Sequence, residues 1–490
     1  MKKRLLQMGI LSLLMTSALI LAKPNNILAV DTNFIKTNGT KLVDENGEEF
    51  QIKSMGFGNS VWSEYGYNST DHNADSYKEL TDLGFNTVRL YINYNWYTSD
   101  VDKDGKPDIW KRLDRELSWA KEAGIKIYVN LHIAPGGSSI GYHGYSLWGV
   151  ETPLANAMTN RQSVNQMWKE VAERYKDEDT IIGYGLLNEP IPNYQEGKTA
   201  KEMIQCWTNT AKMFGTTIRE IDKNHILFIE PSPSVKKDGS YASTVNDNES
   251  ILSTSIQEIA YQVAKPLGNC ILEYHSYNPW AFSSYGINSN FTPLTQELLD
   301  NRSKSINYID YRIKKLGLPS LLGEFGTTWR TFNSLGFDEE GLTGKDFVEQ
   351  TIDNCFAKGI NFSYHSYRDG NFGLYYNKTP NVQGSKADQF NTELAEIFKS
   401  KLTQTPSPVE PSIDFNVTKE EYIADDKDMT YIPLEDVLCA PLEDVNLDNN
   451  VLPTTGIVSR NTKDSILCFS ALALGFLFIN RKKWLKYKKK

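Results

Sequence analysis

Ile181-Ile182-Gly183-Tyr184-Gly185-Leu186-Leu187-Asn188-Glu189-Pro190 carries no charge for eight positions and then ends on a carboxylate and a proline. A strand whose consecutive residues are apolar has no polar face to give to water, so it lies between two covering layers, as in a parallel sheet flanked by helices. A helical pattern over 161–175 precedes this stretch and another over 201–222 follows it. Outward from there the same unit recurs. Short β-rich runs occupy 51–58, 86–92, 126–132, 181–188, 226–230, 270–277, 319–324 and 360–365. Helical patterns cover 75–83, 111–123, 161–175, 201–222, 251–264, 302–315, 344–358 and 386–401. Several end on a glycine just before the next strand, at Gly84, Gly124, Gly317 and Gly359, where a left-handed helix cap is expected. Strand alternating with helix predicts a parallel sheet, and eight units predict closure into a (β/α)8 TIM barrel over 31–402, in the α/β class.

The 490 residues leave room for such a barrel plus tails. Residues 1–29 read as a secretory signal peptide: Lys2-Lys3-Arg4, an apolar run over 8–22, then small residues near Ala22 and Ala29. Residues 403–451 read as a disordered acidic linker, with prolines at 406, 408, 411, 433 and 441 and Pro-Leu-Glu-Asp-Val at both 433–437 and 441–445. Such a stretch buries too little apolar surface to offset its ordering entropy. Residues 452–490 begin with Leu452-Pro453-Thr454-Thr455-Gly456, continue through an apolar segment at 466–479 and end in a basic cluster. This resembles a sortase wall-sorting signal, with the basic end retained inside. It implies sortase and peptidoglycan as partners, and a secreted protein anchored to a Gram-positive cell wall.

The formal charge is -9, and both ends are basic, so the segment between them is more acidic still. A polyanionic nucleic-acid partner is therefore not expected. Five cysteines at 206, 270, 355, 439 and 468 show no paired spacing. They imply neither a disulfide framework nor a zinc cluster, and Cys206, Cys270 and Cys355 read as buried inert thiols. The histidines stand on separate strands, so no metal and no cofactor is expected.

In a barrel of this kind the site gathers at the C-terminal strand ends. Arg89 closes the second run, His132 the third, Asn188 and Glu189 the fourth, Glu230 the fifth, His275 and Tyr277 the sixth, Glu324 the seventh and His365 the eighth. Glu189 and Glu324 end strands on opposite sides of a small barrel, so their side chains can face each other across a sugar. Retaining glycoside hydrolysis needs two such carboxyls about 5 Å apart. It also needs them to differ in proton affinity, so their neighbours must differ.

Leu187-Asn188-Glu189-Pro190 and Leu322-Gly323-Glu324-Phe325-Gly326 resemble the two signature strands of glycoside hydrolase family 5, the cellulase-like clan. Arg89 in Val-Arg-Leu, His132 in Leu-His-x-x-Pro-Gly and His275-Ser276-Tyr277 extend the likeness over about 45–370. The resemblance implies Glu189 as proton donor and base and Glu324 as nucleophile of a β-glycosidase. It implies Asn188 on the sugar 2-hydroxyl, Arg89 holding Glu324 ionised, His275 and Tyr277 orienting Glu324, and His132 on the sugar. Members usually end the eighth strand on a tryptophan. Here 363–369 reads Ser-Tyr-His-Ser-Tyr-Arg-Asp, with His365 or Tyr367 as the substitute.

Trp62, Trp96, Trp280 and Trp329 follow strands and are candidate sugar platforms. The loop after the third strand, with Tyr142, His143, Tyr145 and Trp148, is a candidate wall of the cleft. The expected partner is a β-linked oligo- or polysaccharide, bound by a monomeric catalytic domain. Two other readings stay open: a glycan-binding adhesin on a barrel scaffold, and a transglycosylase that passes the glycosyl group to another sugar.

Overall fold

Eight strands pair in parallel and close on themselves. They are β1 (Lys53–Phe57), β2 (Thr87–Asn93), β3 (Lys126–Ile133), β4 (Ile181–Gly185), β5 (Ile226–Ile229), β6 (Cys270–His275), β7 (Ser320–Phe325) and β8 (Asn361–Tyr364). Each bonds to the next in sequence, β8 bonds to β1, and no free edge remains. The computed structural model describes residues 33–403 except 64, 69–70, 138–140, 149–153, 193–198, 238–239, 244–249, 288–290, 333–340 and 378–386. The readings of a leader, a linker beyond 403 and a sorting signal lie outside the described residues.

Every residue of β2, β4, β5, β7 and β8 is buried, as strands covered on both faces require. The expected and observed strands differ mainly at their ends. The run over 181–188 leaves the ladder after Gly185, because the chain there turns inward to present Asn188 and Glu189.

The longer helices among the described residues are α1 (Ala74–Asp82), α2 (Asp108–Ala123), α3 (Leu154–Tyr175), α4 (Ala200–Ile221), α5 (Ile251–Ile259), α6 (Gln296–Lys315), α7 (Gly344–Lys358) and α8 (Thr392–Leu402). The expected glycine stops hold: Gly84, Gly124, Gly317 and Gly359 all have positive φ, between 59° and 94°. The starts were less legible. Side chains of Asn73, Thr199, Thr295, Thr343 and Asn391 cap α1, α4, α6, α7 and α8, so α6 begins six residues before its apolar pattern suggests.

A hairpin of Lys36–Asn38 with Lys41–Val43 precedes β1. Its flanking Ile35 and its Leu42 pack with Ile52, Ile182, Ile226, Ile271 and Leu321, the apolar residues at the starts of barrel strands. This apolar plug fills the N-terminal end and leaves the polar chemistry to the other.

Cys270 and Cys355 are free buried thiols, as expected. Cys206 is disulfide-bonded, which corrects its reading as an inert thiol.

One ionic cluster lies buried beside the barrel. His72 sits between Asp71 and Glu116 at 3.0 and 2.8 Å, and Tyr77 and Arg112 also contact Glu116 at 2.7 and 3.2 Å. Burial alone would raise Glu116, but Arg112, His72 and Arg115 outweigh it and lower the carboxyl to about 2. A carboxyl lower in the folded than in the unfolded chain adds stability above its ordinary value of 4.5 and loses it as pH falls toward 2. Glu116→Ala is expected to cost about 3–5 kcal/mol near neutral pH, because it strands buried cations. Denaturant unfolding of both proteins across pH 3–7 checks this. The difference should narrow on the acid side, and a gap that does not change with pH contradicts the assignment.

Candidate active site

The fourth strand end places Glu189 by main-chain contacts. Asn188 N donates to Leu131 O at 2.9 Å, and Glu189 N donates to Glu230 Oε2 at 2.7 Å. Glu189 has φ +41°, a conformation that a non-glycine residue holds only when its surroundings impose it. Glu230 fixes its N–H, and His143 Nδ1 lies 3.0 Å from its carbonyl oxygen. On the far side Glu324 belongs to β7, with its main chain held by Ser276 N at 2.9 Å. One carboxylate oxygen of Glu189 and one of Glu324 lie within 4.8 Å of each other, with a His275 ring nitrogen inside the same limit.

Glu324 accepts from Arg89 Nη1 on Oε1 at 2.5 Å and from the Tyr277 hydroxyl on Oε2 at 2.7 Å. Arg89 is fully buried and forks: Nη2 also reaches Asn188 Oδ1 at 2.8 Å and Glu273 Oε1 at 2.8 Å. Glu273 is absent from the sequence expectations. It occupies the space that Gly323 leaves open, where an added Cβ would stand 2.0 Å from Glu273 Oε1. The glycine of Leu-Gly-Glu-Phe thus makes room for the carboxylate that anchors Arg89. Burial alone would raise Glu324, but the charges of His275 and Arg89 overcome it and hold the carboxyl well below its usual range.

Glu189 accepts from His275 Nδ1 on Oε1 at 3.0 Å and from the Tyr142 hydroxyl on Oε2 at 2.9 Å. The expected pairing of His275 with Glu324 is therefore corrected. The imidazole is nearer Glu189 and stands 3.7 Å from Glu324 Oε2, because its other nitrogen is drawn toward Glu273, at 3.4 Å. Burial disfavours a charged His275, yet Glu230, Glu324, Glu189 and Glu273 hold it well above the usual imidazole range. Burial would likewise raise Glu189, but the hydrogen bond and charge of His275 and the charge of His143 bring it to about 2. Burial, and then the neighbouring carboxyls Glu273 and Glu189, push Glu230 well above its ordinary value. Protons are thus shared out unequally among the carboxyls, with one on the His275–Glu189 pair.

His132 is buried against the Tyr91 ring, and burial lowers it to about 3, so it is a neutral wall of the site. His365 sits 3.9 Å from Glu324 Oε2 and accompanies the site as the sequence suggests. Tyr367, the other candidate at that strand end, turns away to donate to Glu79 at 2.7 Å and to stack on Phe57. Trp280 and Trp62 are exposed at 47% and 42%, Trp280 beside Tyr277 and Trp62 beside His132 and Tyr142. Trp96 is fully buried and donates to Ser63 O, so it is packing and not a platform. Trp329 has a face covered by Tyr376. In the third-strand loop Tyr145 and Trp148 are buried, while Tyr142 and His143 reach Glu189 directly.

The closed (β/α)8 barrel thus carries two glutamates of unlike surroundings across its C-terminal mouth. The chain belongs to the cellulase family, glycosyl hydrolase family 5, whose model matches residues 43–340. It is 27% identical over 231 residues to a β-xylosidase of Phanerodontia chrysosporium, covering 40% of this chain and 46% of that one. It is 24% identical over 351 residues to endoglucanase B of Acetivibrio thermocellus, covering 60% and 58%. The chain thus spans less than two thirds of the length of these curated relatives. Among solved structures, Thermotoga maritima Cel5A in complex with cellobiose shares the fold at a TM-score of 0.50 and 18% identity, over 70% of this chain and 96% of that one.

Proposed function

We propose that this protein is a retaining β-glycosidase that hydrolyses β-linked glucan or a related β-linked glycan at the surface of a Gram-positive cell. The observation that carries the reading is the approach of Glu189 and Glu324 to within 4.8 Å. That spacing suits direct attack by one carboxylate, whereas inverting pairs stand about 6.5–9.5 Å apart to admit a water.

Glu324, held ionised by Arg89 and Tyr277, attacks the anomeric carbon as the bond to the leaving oxygen breaks. Glu189 gives that oxygen its proton. A water then attacks the glycosyl ester from the opposite face, returns a proton to Glu189 and frees Glu324. Arg89 takes up Asn188 Oδ1 and leaves the amide hydrogens to bind the sugar 2-hydroxyl.

The acid form of Glu189 draws on His275. The pair holds one proton, and its transfer along a 3.0 Å hydrogen bond turns imidazolium and carboxylate into imidazole and carboxylic acid. Activity therefore persists while the pair keeps that proton and falls as pH rises through the pair's apparent pKa. The alkaline limb of kcat/KM is expected well above 6.5, since His275 is raised from that value. A limb at or below 6.5 contradicts the shared proton.

Arg89→Lys is expected to lower kcat/KM by about 10²–10³-fold, because one ammonium cannot serve Glu324, Asn188 and Glu273 together. It should also move the acid limb upward, as Glu324 regains a more ordinary proton affinity. An unmoved acid limb contradicts that role.

The relatives' names support a β-linked glycan substrate, and the 452–456 pentapeptide with its apolar and basic followers supports wall display. Incubation of the wild-type domain and Glu324→Gln with a panel of β-linked gluco-oligosaccharides and xylo-oligosaccharides, with products sized, tests the reading. Cleavage by the wild type alone is the expected result. Binding without turnover by either protein overturns it in favour of a glycan-binding role.

A further inference from the structure

His365 and Asp369 stand four residues apart just beyond β8. Their facing atoms, Nε2 and Oδ2, are 4.0 Å from each other, and their side chains are 16% and 15% exposed. That gap is too long for a hydrogen bond, yet one hydroxyl oxygen about 2.8 Å from each atom would span it. Both groups are fixed by their other ends. Asp369 Oδ1 accepts from the backbone N–H groups of Asn371 and Phe372 at 2.7 and 2.9 Å, which leaves Oδ2 to face His365.

The donor sense of His365 follows from its neighbours. Tyr91 lies 2.9 Å from Nδ1, and the Asp369 carboxylate faces Nε2 on the other side of the ring. A carboxylate opposite Nε2 favours the tautomer that carries its hydrogen there, and the Tyr91 hydroxyl then donates to Nδ1. In an imidazolium both nitrogens carry hydrogen, so Nε2–H is a donor in either state. Gly56 permits the arrangement, since an added Cβ there would stand 2.2 Å from the Tyr91 hydroxyl. The other end of the ring lies beside the nucleophile, with Nδ1 3.9 Å from Glu324 Oε2. Phe372 closes the site edge-on against both His365 and Tyr277.

We propose that His365 and Asp369 form a donor and acceptor clamp that selects one hydroxyl of the sugar bonded to Glu324. The clamp rests on the glycosidase reading and adds a specificity determinant to it. The hydroxyl accepts from His365 Nε2–H and donates to Asp369 Oδ2. A sugar without that hydroxyl leaves both groups desolvated and unpaired, which is how polar sites reject analogues.

The test uses 4-nitrophenyl β-D-glucopyranoside and its 3-deoxy, 4-deoxy and 6-deoxy analogues with the wild-type protein, His365→Phe and Asp369→Asn. The wild type is expected to lose about 10²-fold in kcat/KM on one analogue beyond its loss on the other two. In both variants the excess penalty on that same analogue should shrink below about tenfold. A purely structural defect would lower all four substrates together and leave the analogue ratios unchanged, and unchanged ratios in both variants overturn the clamp. Turnover of none of the four by the wild type overturns the glycosidase reading on these sugars and the clamp with it.

Discussion

Glu324→Ala is expected to lower kcat by roughly 10⁴–10⁶-fold, the scale of loss when one member of a catalytic unit is removed. The substitution deletes the proposed nucleophile and leaves a void faced by Arg89 and His275. A small anion should enter that void. With sodium azide and a 2,4-dinitrophenyl β-glycoside, the variant is expected to regain turnover and to release an α-glycosyl azide, because azide attacks from the face the carboxylate occupied. No rescue, or a β-glycosyl azide, contradicts the assignment of Glu324.

Glu189→Ala is expected to separate substrates by leaving group. A sugar leaving group needs its oxygen protonated, and loss of the acid should slow it by about 10²–10⁴-fold. A dinitrophenolate leaves without help, so the first step should survive while the second, which needs a base, becomes limiting. Stopped-flow measurement of dinitrophenol release should then show a burst of about one equivalent. Added azide should speed turnover and give a β-glycosyl azide, since it meets the intermediate from the open face. Equal losses for both leaving groups contradict the role of Glu189.

Much of this molecule could be read before its structure was known, and the reasons are physical. Parallel strands covered on both sides must be apolar along their length, so polar residues at their ends stand out. Glycine stops at Gly84, Gly124, Gly317 and Gly359 were legible because a left-handed cap penalises any Cβ. Glu273 was hidden by the same logic, as it lies inside β6 between apolar neighbours and not at its end. The trace it leaves in sequence is indirect: Gly323 on the adjacent strand has no side chain to compete with it.

His275 stands beside Glu324 as the sequence implies but gives its hydrogen bond to Glu189, because strand order fixes which residues meet and not which way a ring nitrogen turns. Tyr142 belongs to a loop in which His143 and Gly144 depart from helical geometry, and no periodic pattern announces such a path. Trp96 follows a strand as a platform residue would, yet Ser63 O takes its indole N–H and Arg112 covers its ring. Position after a strand does not tell a wall of the cleft from a pillar behind it.

The proposed double displacement returns the anomeric carbon to its starting configuration through two successive inversions. Proton NMR of the sugar released in the first moments of hydrolysis of a β-glycoside, before mutarotation, reads that configuration directly. The β-anomer appearing first is the predicted result, and the α-anomer appearing first would contradict the double displacement on which the account rests.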